Sequence, residues 1–392
     1  MAQTKKFDVV IIGGGASGLM CASRIKKKST LILEKADRVG KKILATGNGR
    51  CNLTNINIDT IRYNTSKVEP YFKKYGVSET LDYFSKLGLM TYSDEEGRVY
   101  PVSDTASSVL DVLRLKIDSM KNVNIMCGVD VKKIDKKNET YILHMDDETI
   151  ECKSLVISTG SVKGEKYLKD LDVKYTPYKR SLGALCSDTN SGLHGVRVDN
   201  VKVTLELDNK NYSQNGEILF KDNAISGIVI FNLSAFIARF NVVNAYLHIN
   251  FLNSATFSEV KNVLTIRKNT LSDRCVRDYF TGMLHKALSI NILSRTNIDT
   301  NKNVASLTEK EIEELAHLLT DYKIRVSRVA DNNQVFAGGV ELDSLDSSLK
   351  VKDKDNLYLT GELINVDGEC GGYNLQWAWT SAMIVADSIN DN

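Results

Sequence analysis

The chain has 392 residues, 42% hydrophobic and 26% charged, with 51 Lys and Arg against 49 Asp and Glu. This length predicts two or three domains, and the near-neutral charge argues against a nucleic-acid partner or an anionic membrane surface. The apolar run at residues 9–12 is too short for a signal sequence or a membrane span. Seven Cys without a C-x-x-C pair and five scattered His predict reduced thiols, a cytoplasmic location and no metal site.

The first predicted elements are a strand, a glycine turn and a helix. Residues 7–12 are apolar and β-branched, as in a buried parallel strand, and residues 19–25 have a helical pattern. Gly13, Gly15 and Gly18 complete G-x-G-x-x-G between them. In this motif the first glycine permits the tight turn, the second lets backbone approach a pyrophosphate, and the third lets helix and strand pack closely. The helix N-terminus supplies free N–H groups for the phosphates.

A second strand at residues 29–34 ends in Glu34, sixteen residues after Gly18. A carboxylate there accepts hydrogen bonds from both hydroxyls of an adenosine ribose and repels a 2′-phosphate. The short spacing predicts an abbreviated helix or a turn near residues 26–28. The unit should therefore bind an ADP moiety, and by itself it leaves NAD and FAD open.

Two further segments favour FAD. Residues 39–55 are rich in Gly and Asn with Lys and Arg interspersed, which predicts a loop dense in hydrogen-bond donors. Residues 356–360 indicate a strand that enters Gly361 and Glu362. From about Leu375 the pattern is helical, with small residues at 378, 382 and 386 that permit close packing.

At these residues the sequence resembles the three-domain bacterial flavoproteins that include the aminoacetone oxidase-like enzymes and the BaiN-type (YhiN-type) proteins. The matching pieces are the glycine fingerprint and residues 40–52, 97–101, 216–220, 226–227, 337–340 and 361–379. They follow one another in order over nearly the whole chain. The resemblance predicts a bacterial, nucleotide-binding oxidoreductase with non-covalently bound FAD.

The resemblance also implies roles for individual segments. Glu362 would hold the ribityl chain, and the loop from Thr46 to Asn52 would lie along the flavin. The backbone of Val131 would meet adenine, and the helix that opens near Asn374 would point its N-terminus at the pyrimidine edge of the flavin. Such a helix end stabilises negative charge on the reduced ring. The predicted cofactor-binding residues are Gly13, Gly15, Ala16, Ser17, Gly18, Glu34, Lys35, Lys41, Lys42, Thr46, Gly49, Arg50, Cys51, Asn52, Val131, Thr159, Gly160, Gly361, Glu362, Gly371, Gly372, Tyr373 and Asn374.

The middle of the chain changes period twice. Residues 129–134 and 141–145 predict an antiparallel ribbon, and residues 155–160 predict a buried strand ending in Thr159 and Gly160. From Asp188 the alternation predicts the strands of a small barrel, whereas the period between 258 and 321 is helical, and Thr308 followed by Glu311 predicts a capping box there. The predicted fold is α/β, a Rossmann-like FAD-binding domain with a parallel sheet, interrupted by a β-barrel domain that itself carries a helical subdomain. The predicted boundaries are 1–187 and 334–392 for the FAD-binding domain, 188–255 and 322–333 for the β-barrel substrate domain, and 256–321 for the helical subdomain.

The chain departs from the family after Gly160. Most relatives continue with a loop rich in Gly, Ser, Thr and Pro, whereas this chain has only residues 161–168 before the pattern moves on. Part of the active-site wall is therefore expected to be absent or rebuilt, which affects the substrate more than the fold.

The predicted function is that of an FAD-dependent oxidoreductase acting on a small-molecule substrate. No second G-x-G-x-x-G follows a strand, so a dedicated NAD(P)H domain is not expected. The first alternative is an oxidase or dehydrogenase of a small amine or amino-ketone, reoxidised by O2. The second is an enone reductase that receives electrons from transiently docked NAD(P)H, and the third is a non-enzymatic redox sensor. Either a monomer or a homodimer is compatible with the sequence.

The candidate catalytic residues are those expected near the flavin: Asn48, Arg50, Asn52 and Tyr373. Arg50 could anchor an anionic or carbonyl substrate, and a phosphate or flavin contact is an equal alternative. Cys51 and Cys370 fall in the same loops. Their small size would allow close backbone approach, and a covalent flavin link or a redox role is the alternative.

Overall fold

The structure is a computed structural model that describes residues 4–187, 192–208, 210–240 and 245–392. Its contacts divide the chain into two compact units: the residues up to Lys179 together with Phe336–Asn392, and the intervening Arg180–Val335. The predicted boundary at Asp188 lies outside the described residues. The division into three domains stays a prediction.

The strands are numbered in chain order. They are β1 (Thr4–Ile12), β2 (Thr30–Glu34), β3 (Thr54–Asn55), β4 (Thr91–Ser93), β5 (Arg98–Pro101), β6 (Val123–Cys127), β7 (Lys133–Lys137), β8 (Thr140–His144), β9 (Thr149–Ile157), β10 (Thr176–Ser181), β11 (Leu185–Cys186), β12 (Arg197–Leu207), β13 (Lys210–Lys221), β14 (Ala224–Ser226), β15 (Ala245–Asn250), β16 (Tyr322–Val326), β17 (Val335–Gly339) and β18 (Leu357–Leu359). The helices are α1 (Ala16–Arg24), α2 (Lys41–Ala45), α3 (Glu69–Lys74), α4 (Val77–Lys86), α5 (Ala106–Asp118), α6 (Ser161–Asp170), α7 (Ile228–Arg239), α8 (Phe257–Thr270), α9 (Lys286–Ser294), α10 (Glu309–Thr320) and α11 (Tyr373–Asp391).

The first unit is built on a sheet in the order β6-β2-β1-β9-β8-β7, with β18 beside the last part of β9. β1 runs parallel to β2 and β9, and Val10 faces Leu31 on one side and Leu155 on the other. These three side chains are buried because helices cover a parallel sheet on both faces. The sheet confirms the predicted α/β fold with a Rossmann-like core.

Helix α11 packs on α1 through the small residues that the sequence singled out. Ala382 and Ala386 are fully buried, and Ala378 is nearly so. Small side chains let the backbones of α1 and α11 approach closely. Because α1 begins directly after Gly15, this packing also supports the glycine turn. This interface joins the first helix of the chain to its last.

Two local predictions in this unit have different outcomes. The turn near residues 26–28 is confirmed, since α1 ends at Arg24 and Lys27 adopts a left-handed φ of 58°. The ribbon was predicted to begin at residue 129, but β7 begins at Lys133. Residues 129–132 form a linker into the strand: the Val129 N–H donates to the Glu34 carbonyl oxygen at 3.0 Å, and the Lys132 N–H donates at 2.8 Å to the carbonyl oxygen of His144, at the end of β8.

The second unit contains an antiparallel sheet in the order β11-β14-β13-β12-β15-β16. The backbone directly after β16 pairs with β11, because Cys186 N–H donates to the Arg328 carbonyl at 2.9 Å and Ser327 N–H to the Cys186 carbonyl at 3.0 Å. Hydrogen bonding thus connects the two outer strands and closes a small barrel. Helices α8, α9 and α10 lie between β15 and β16 in the chain, and Thr308 forms the predicted capping box with Glu311.

Candidate active site

The glycine turn after β1 has one open position between two crowded ones. A Cβ on Gly13 would lie 2.6 Å from the Ser158 carbonyl oxygen, and one on Gly18 would lie 2.0 Å from the Gly13 carbonyl oxygen. A Cβ on Gly15 would meet nothing within 4 Å. Gly13 and Gly18 are therefore required by packing, whereas Gly15 borders free space at the start of α1. No side chain caps this helix end, so its N–H groups can receive phosphate oxygens.

Glu34 lies at the end of β2, beside this turn. Its carboxylate accepts hydrogen bonds from the N–H groups of Gly14 and Ala36, both at 2.8 Å. Each carboxylate oxygen can accept a further bond, so these contacts orient the group and leave it able to bind a ribose. Lys35 follows on the same strand end and pairs with Asp130 at 3.1 Å.

A hydroxyl cluster connects the turn to the C-terminal segment. Thr360 donates to Ser17 at 3.0 Å and shares a hydrogen bond of 2.7 Å with Ser158. All three side chains are buried, and they tie together the start of α1 and the ends of β9 and β18. Three remote chain segments are thus fixed at one edge of the sheet, the edge where ligands bind in open α/β folds.

Glu362 follows this cluster and lies beside the end of β9. Its carboxylate pairs with Lys42 at 2.7 Å, and a Cβ on Gly160 would lie 3.4 Å from the same oxygen. Thr159 precedes Gly160, so the predicted phosphate-side and ribityl-side residues come together. Gly361 has a φ of +62° and receives the Trp377 indole N–H at its carbonyl, which fixes the turn in which Glu362 lies.

The loop from Thr46 to Asn52 has an unusual backbone. Gly47, Asn48, Gly49 and Cys51 all have positive φ values, between 56° and 86° for the glycines and 55° and 59° for the other two. Left-handed conformations cost energy in non-glycine residues and cluster at functional sites. The Thr46 hydroxyl donates to the Ile43 carbonyl at 2.6 Å, which anchors the start of the loop. Lys41 instead pairs with Asp37, four residues earlier.

Asn52 connects this loop to the start of α11. With its amide oriented to satisfy both neighbours, the nitrogen donates to the Thr54 carbonyl at 2.9 Å and the oxygen accepts the Gly372 N–H at 3.1 Å. The Gly371 carbonyl accepts from Asn55 at 3.1 Å, and a Cβ on Gly372 would lie 2.4 Å from the Thr54 carbonyl carbon. The loop and the helix N-terminus are therefore one contiguous structure.

The Arg50 guanidinium lies over an aromatic ring. Its guanidinium carbon is 4.3 Å from the centre of the Tyr100 ring, and one nitrogen is 3.5 Å from Asp104. The side chain remains 42% exposed. The contact with Tyr100 restrains the position of the guanidinium, and its exposure leaves N–H donors available to a ligand.

Two of the predicted flavin-proximal residues have internal contacts. The Tyr373 side chain is buried against Tyr63, with ring centres 5.5 Å apart, and burial raises the pKa of its hydroxyl. Asn374 accepts from the Gly368 N–H at 3.0 Å and donates to the Gly368 carbonyl at 2.9 Å. These contacts stabilise the turn before α11. The catalytic role of Tyr373 stays a prediction.

The two cysteines of these loops have suppressed acidity. Burial raises the pKa of the Cys51 thiol to about 11 and that of the Cys370 thiol to about 12. At neutral pH both are thiols, the weakly nucleophilic form, which favours close packing over covalent or redox chemistry. Within the residues that the structure describes, no group of three His, Cys, Asp or Glu is placed to hold a metal ion. The expectation that the protein binds no metal comes from the sequence and stays a prediction.

Val131 has its carbonyl group already engaged. Lys166, on α6, donates to this carbonyl oxygen at 2.7 Å, and the Tyr167 hydroxyl lies 3.3 Å from it. The segment after Gly160, where the resemblance predicts a departure from the relatives, is thus a helix of ten residues that reaches the predicted adenine side.

Gln376 is not among the residues predicted from the sequence, yet its side chain supports this region through buried hydrogen bonds. Its side chain is fully buried; it accepts from Thr54 at 2.6 Å and donates to Thr80 at 2.8 Å and Thr380 at 3.0 Å. A polar residue inside the small-residue helix pattern was the available signal, because buried amides require partners.

Replacing Gln376 with Leu is expected to destabilise the protein by about 2–4 kcal/mol, because three buried hydroxyls lose a partner. Chemical denaturation of the FAD-loaded protein measures the change. Asn262→Leu, at an exposed position on α8, is the control and should change stability by less than about 0.5 kcal/mol. Equal stability of Q376L and wild type would contradict a structural role for this network.

The residues present fit FAD. The open space at Gly15, the uncapped start of α1 and the carboxylate of Glu34 suit a pyrophosphate and an adenosine ribose. The second half of the site, from Glu362 through the Thr46–Asn52 loop to α11, is continuous with them. With a barrel inserted into a Rossmann-like fold, these features define an FAD-dependent oxidoreductase.

Comparison with known proteins identifies the family. Residues 7–388 match the family model described as HI0933-like protein Rossmann domain, so the chain belongs to this family. It is 33% identical to a 3-dehydro-bile acid delta(4,6)-reductase of Clostridium scindens, over 95% of this chain and 97% of the relative. It is 24% identical to a ribosomal RNA dihydrouridine synthase of Escherichia coli, over 98% of both chains.

A solved structure shares the fold. The crystal structure of 3-ketosteroid delta1-dehydrogenase from Sterolibacterium denitrificans superposes with a TM-score of 0.52, at 11% identity, over 99% of this chain and all of the other. At this identity the likeness supports the fold alone. None of the helices in the described part of the chain is both long and apolar enough to cross a lipid bilayer.

Proposed function

We propose that this protein is an FAD-dependent reductase of a carbon–carbon double bond conjugated to a carbonyl group. The observation that carries the proposal is the 33% identity, over nearly the full length of both chains, to a relative named as a delta(4,6)-reductase of a 3-dehydro-bile acid. Its name describes double bonds conjugated to a ketone. The second relative is named for dihydrouridine, the product of saturating the conjugated double bond of uracil. Reduction of a carbon–carbon double bond conjugated to a carbonyl group accounts for both names.

The Arg50 geometry supports the same chemistry. Reduction of a conjugated double bond places negative charge on the carbonyl oxygen, and a fixed cationic donor stabilises that charge. Arg50 is held by its contact with Tyr100 and is partly exposed, so it can donate to such an oxygen. When bound, FAD supplies the two-electron transfer that the reaction requires.

The surrounding residues position the reactants. Asn52 holds the loop that carries Arg50 against the N-terminus of α11, so a movement of one is resisted by the other. Glu362, paired with Lys42, would receive the ribityl hydroxyls. Asn48, in its left-handed conformation, would shape the loop rather than react.

The amine oxidase alternative rests on the sequence resemblance alone. An oxidase needs no nicotinamide, whereas a reductase must receive electrons from NAD(P)H at the open flavin face. Since the sequence has no second nucleotide fingerprint, we expect the reduction by nicotinamide to be slow and weakly saturable.

An anaerobic stopped-flow experiment separates the alternatives by following the flavin absorbance. We expect NADH or NADPH to bleach the flavin and a conjugated ketone to restore its colour, with small amines and aminoacetone giving no change. Unmodified ribosomal RNA replaces the ketone in a parallel arm, because the expected lack of a nucleic-acid partner is untested. Bleaching by an amine, followed by recovery in air with hydrogen peroxide, would establish the oxidase instead. If no donor reduced the flavin, the redox-sensor alternative would gain support.

A further inference from the structure

A single carboxylate joins three separate segments at the predicted adenosine side of the site. Asp130 accepts from Lys166 at 2.9 Å with one oxygen, and its other oxygen lies 3.1 Å from Lys35 and 3.5 Å from Lys132. Lys35 follows the ribose-binding Glu34, Asp130 and Lys132 belong to the linker before β7, and Lys166 belongs to α6. We call these four residues the Asp130 cluster.

The cluster is anchored by the backbone as well as by charge. The linker bonds to the β2 end through the Val129 N–H on the Glu34 carbonyl oxygen (3.0 Å) and the Gly128 N–H on the Ala36 carbonyl oxygen (2.8 Å). Lys166 reaches the Val131 carbonyl oxygen as well as Asp130, so one ammonium group bridges two consecutive residues of the linker.

The Asp130 side chain is 22% exposed and is charged throughout the physiological pH range. Burial by itself would raise the pKa of Asp130, but hydrogen bonds from Lys166 and Lys35 outweigh it and bring the pKa down to about 2. A simple surface ion pair has one ammonium group, whereas three ammonium groups surround the Asp130 carboxylate. This arrangement holds the linker and α6 in one position relative to Glu34.

We propose that Asp130 is a positioning residue for the adenosine half of FAD, fastening α6 and the linker across the adenine side of Glu34. Helix α6 begins directly after Gly160, where the resemblance predicts an absent or rebuilt wall, and it forms a wall on this side. Removing the Asp130 charge would release Lys35 and Lys166 from their partner and loosen both walls. The isoalloxazine half, which is built from Glu362 and the Thr46–Asn52 loop, would keep its geometry.

This inference rests on FAD as the cofactor and is independent of the substrate that is reduced. The test therefore measures ligand affinity of the apoprotein and not turnover. We expect Asp130→Asn to weaken both FAD and ADP by about three- to thirtyfold, in keeping with hydrogen bonds to a partly exposed charged group. FMN, which lacks adenosine, should bind within about twofold of wild type. Fluorescence quenching of the flavins and calorimetry with ADP give the three dissociation constants.

Asp135→Asn is the matched control, because Asp135, on β7, pairs with Lys133 of the same strand and with His144 on β8, outside the Asp130 cluster. It should leave all three affinities unchanged. Equal weakening of FAD and FMN, or identical behaviour of D130N and D135N, would overturn the proposal. If D130N does not yield folded protein, Lys166→Met is judged by the same criteria, since it removes the cation and keeps the aliphatic stem.

Discussion

A valine at position 15 is expected to abolish FAD binding while leaving the apoprotein folded. Gly15 has φ −83° and ψ −164°, an extended conformation that valine adopts without strain, and its Cβ would point into open space. That space is where the pyrophosphate must pass. Because the side chain would occupy it, we expect FAD affinity to fall by more than about 10³-fold, ~4 kcal/mol. Flavin fluorescence titration and thermal unfolding of the apoprotein measure the two effects separately.

Gly18→Val is the control for this prediction. Its Cβ would meet the Gly13 carbonyl oxygen at 2.0 Å, so this substitution should lower the unfolding temperature of the apoprotein itself. A Gly15→Val protein that binds FAD normally would place the pyrophosphate elsewhere. A Gly15→Val apoprotein as unstable as Gly18→Val would show that the position serves packing rather than the ligand.

Replacing Arg50 with Met is expected to lower kcat/KM for a conjugated carbonyl substrate by about 10²–10³-fold, the usual effect of removing one donor that stabilises a developing oxyanion. Methionine keeps an extended, polarisable side chain against the Tyr100 ring but carries no charge. The dissociation constant of FAD should change little. Steady-state kinetics with a conjugated ketone and flavin titration give both numbers.

Arg114→Met provides the comparison, because Arg114 is an exposed arginine on α5 that pairs with Asp111. It should leave turnover and FAD affinity at wild-type values. If Arg50→Met instead weakened FAD and left turnover of the loaded enzyme unchanged, the arginine would be a cofactor contact. The sequence gives that role equal weight.

The features predicted correctly from the sequence are those encoded by neighbouring residues. The glycine turn, the turn near Lys27 and the capping box at Thr308 each depend on a few consecutive side chains. Parallel strands such as β1 are also predictable from the sequence, because a strand that is buried on both faces has a nearly continuous apolar run. The predicted site residues that follow such strands, Glu34 and Glu362, lie at one edge of the sheet for the same reason.

What the sequence could not provide are contacts between residues that are hundreds of positions apart. Asn52 meeting Gly372 and Gln376 meeting Thr54 depend on how loops pack on α11, and no local period reveals it. Lys166 is a shorter-range example, 35 positions from Val131: the residue types after Gly160 predict an absent or rebuilt wall, but not a helix that reaches Val131. Tertiary packing decides these positions.

The junction of β18 with β9 has a consequence for the order of events during synthesis. Leu357–Leu359 pairs with a strand that left the ribosome about two hundred residues earlier, and α11 follows after that. The barrel closes on itself through Cys186 and Arg328, so it can fold as soon as its own residues are made. The cofactor site cannot, because Glu362 and the N-terminus of α11 are translated after the barrel. Until β18 and α11 are made, the last residues of β9 lack the partner strand that β18 provides, and we expect FAD capture to follow the translation of α11.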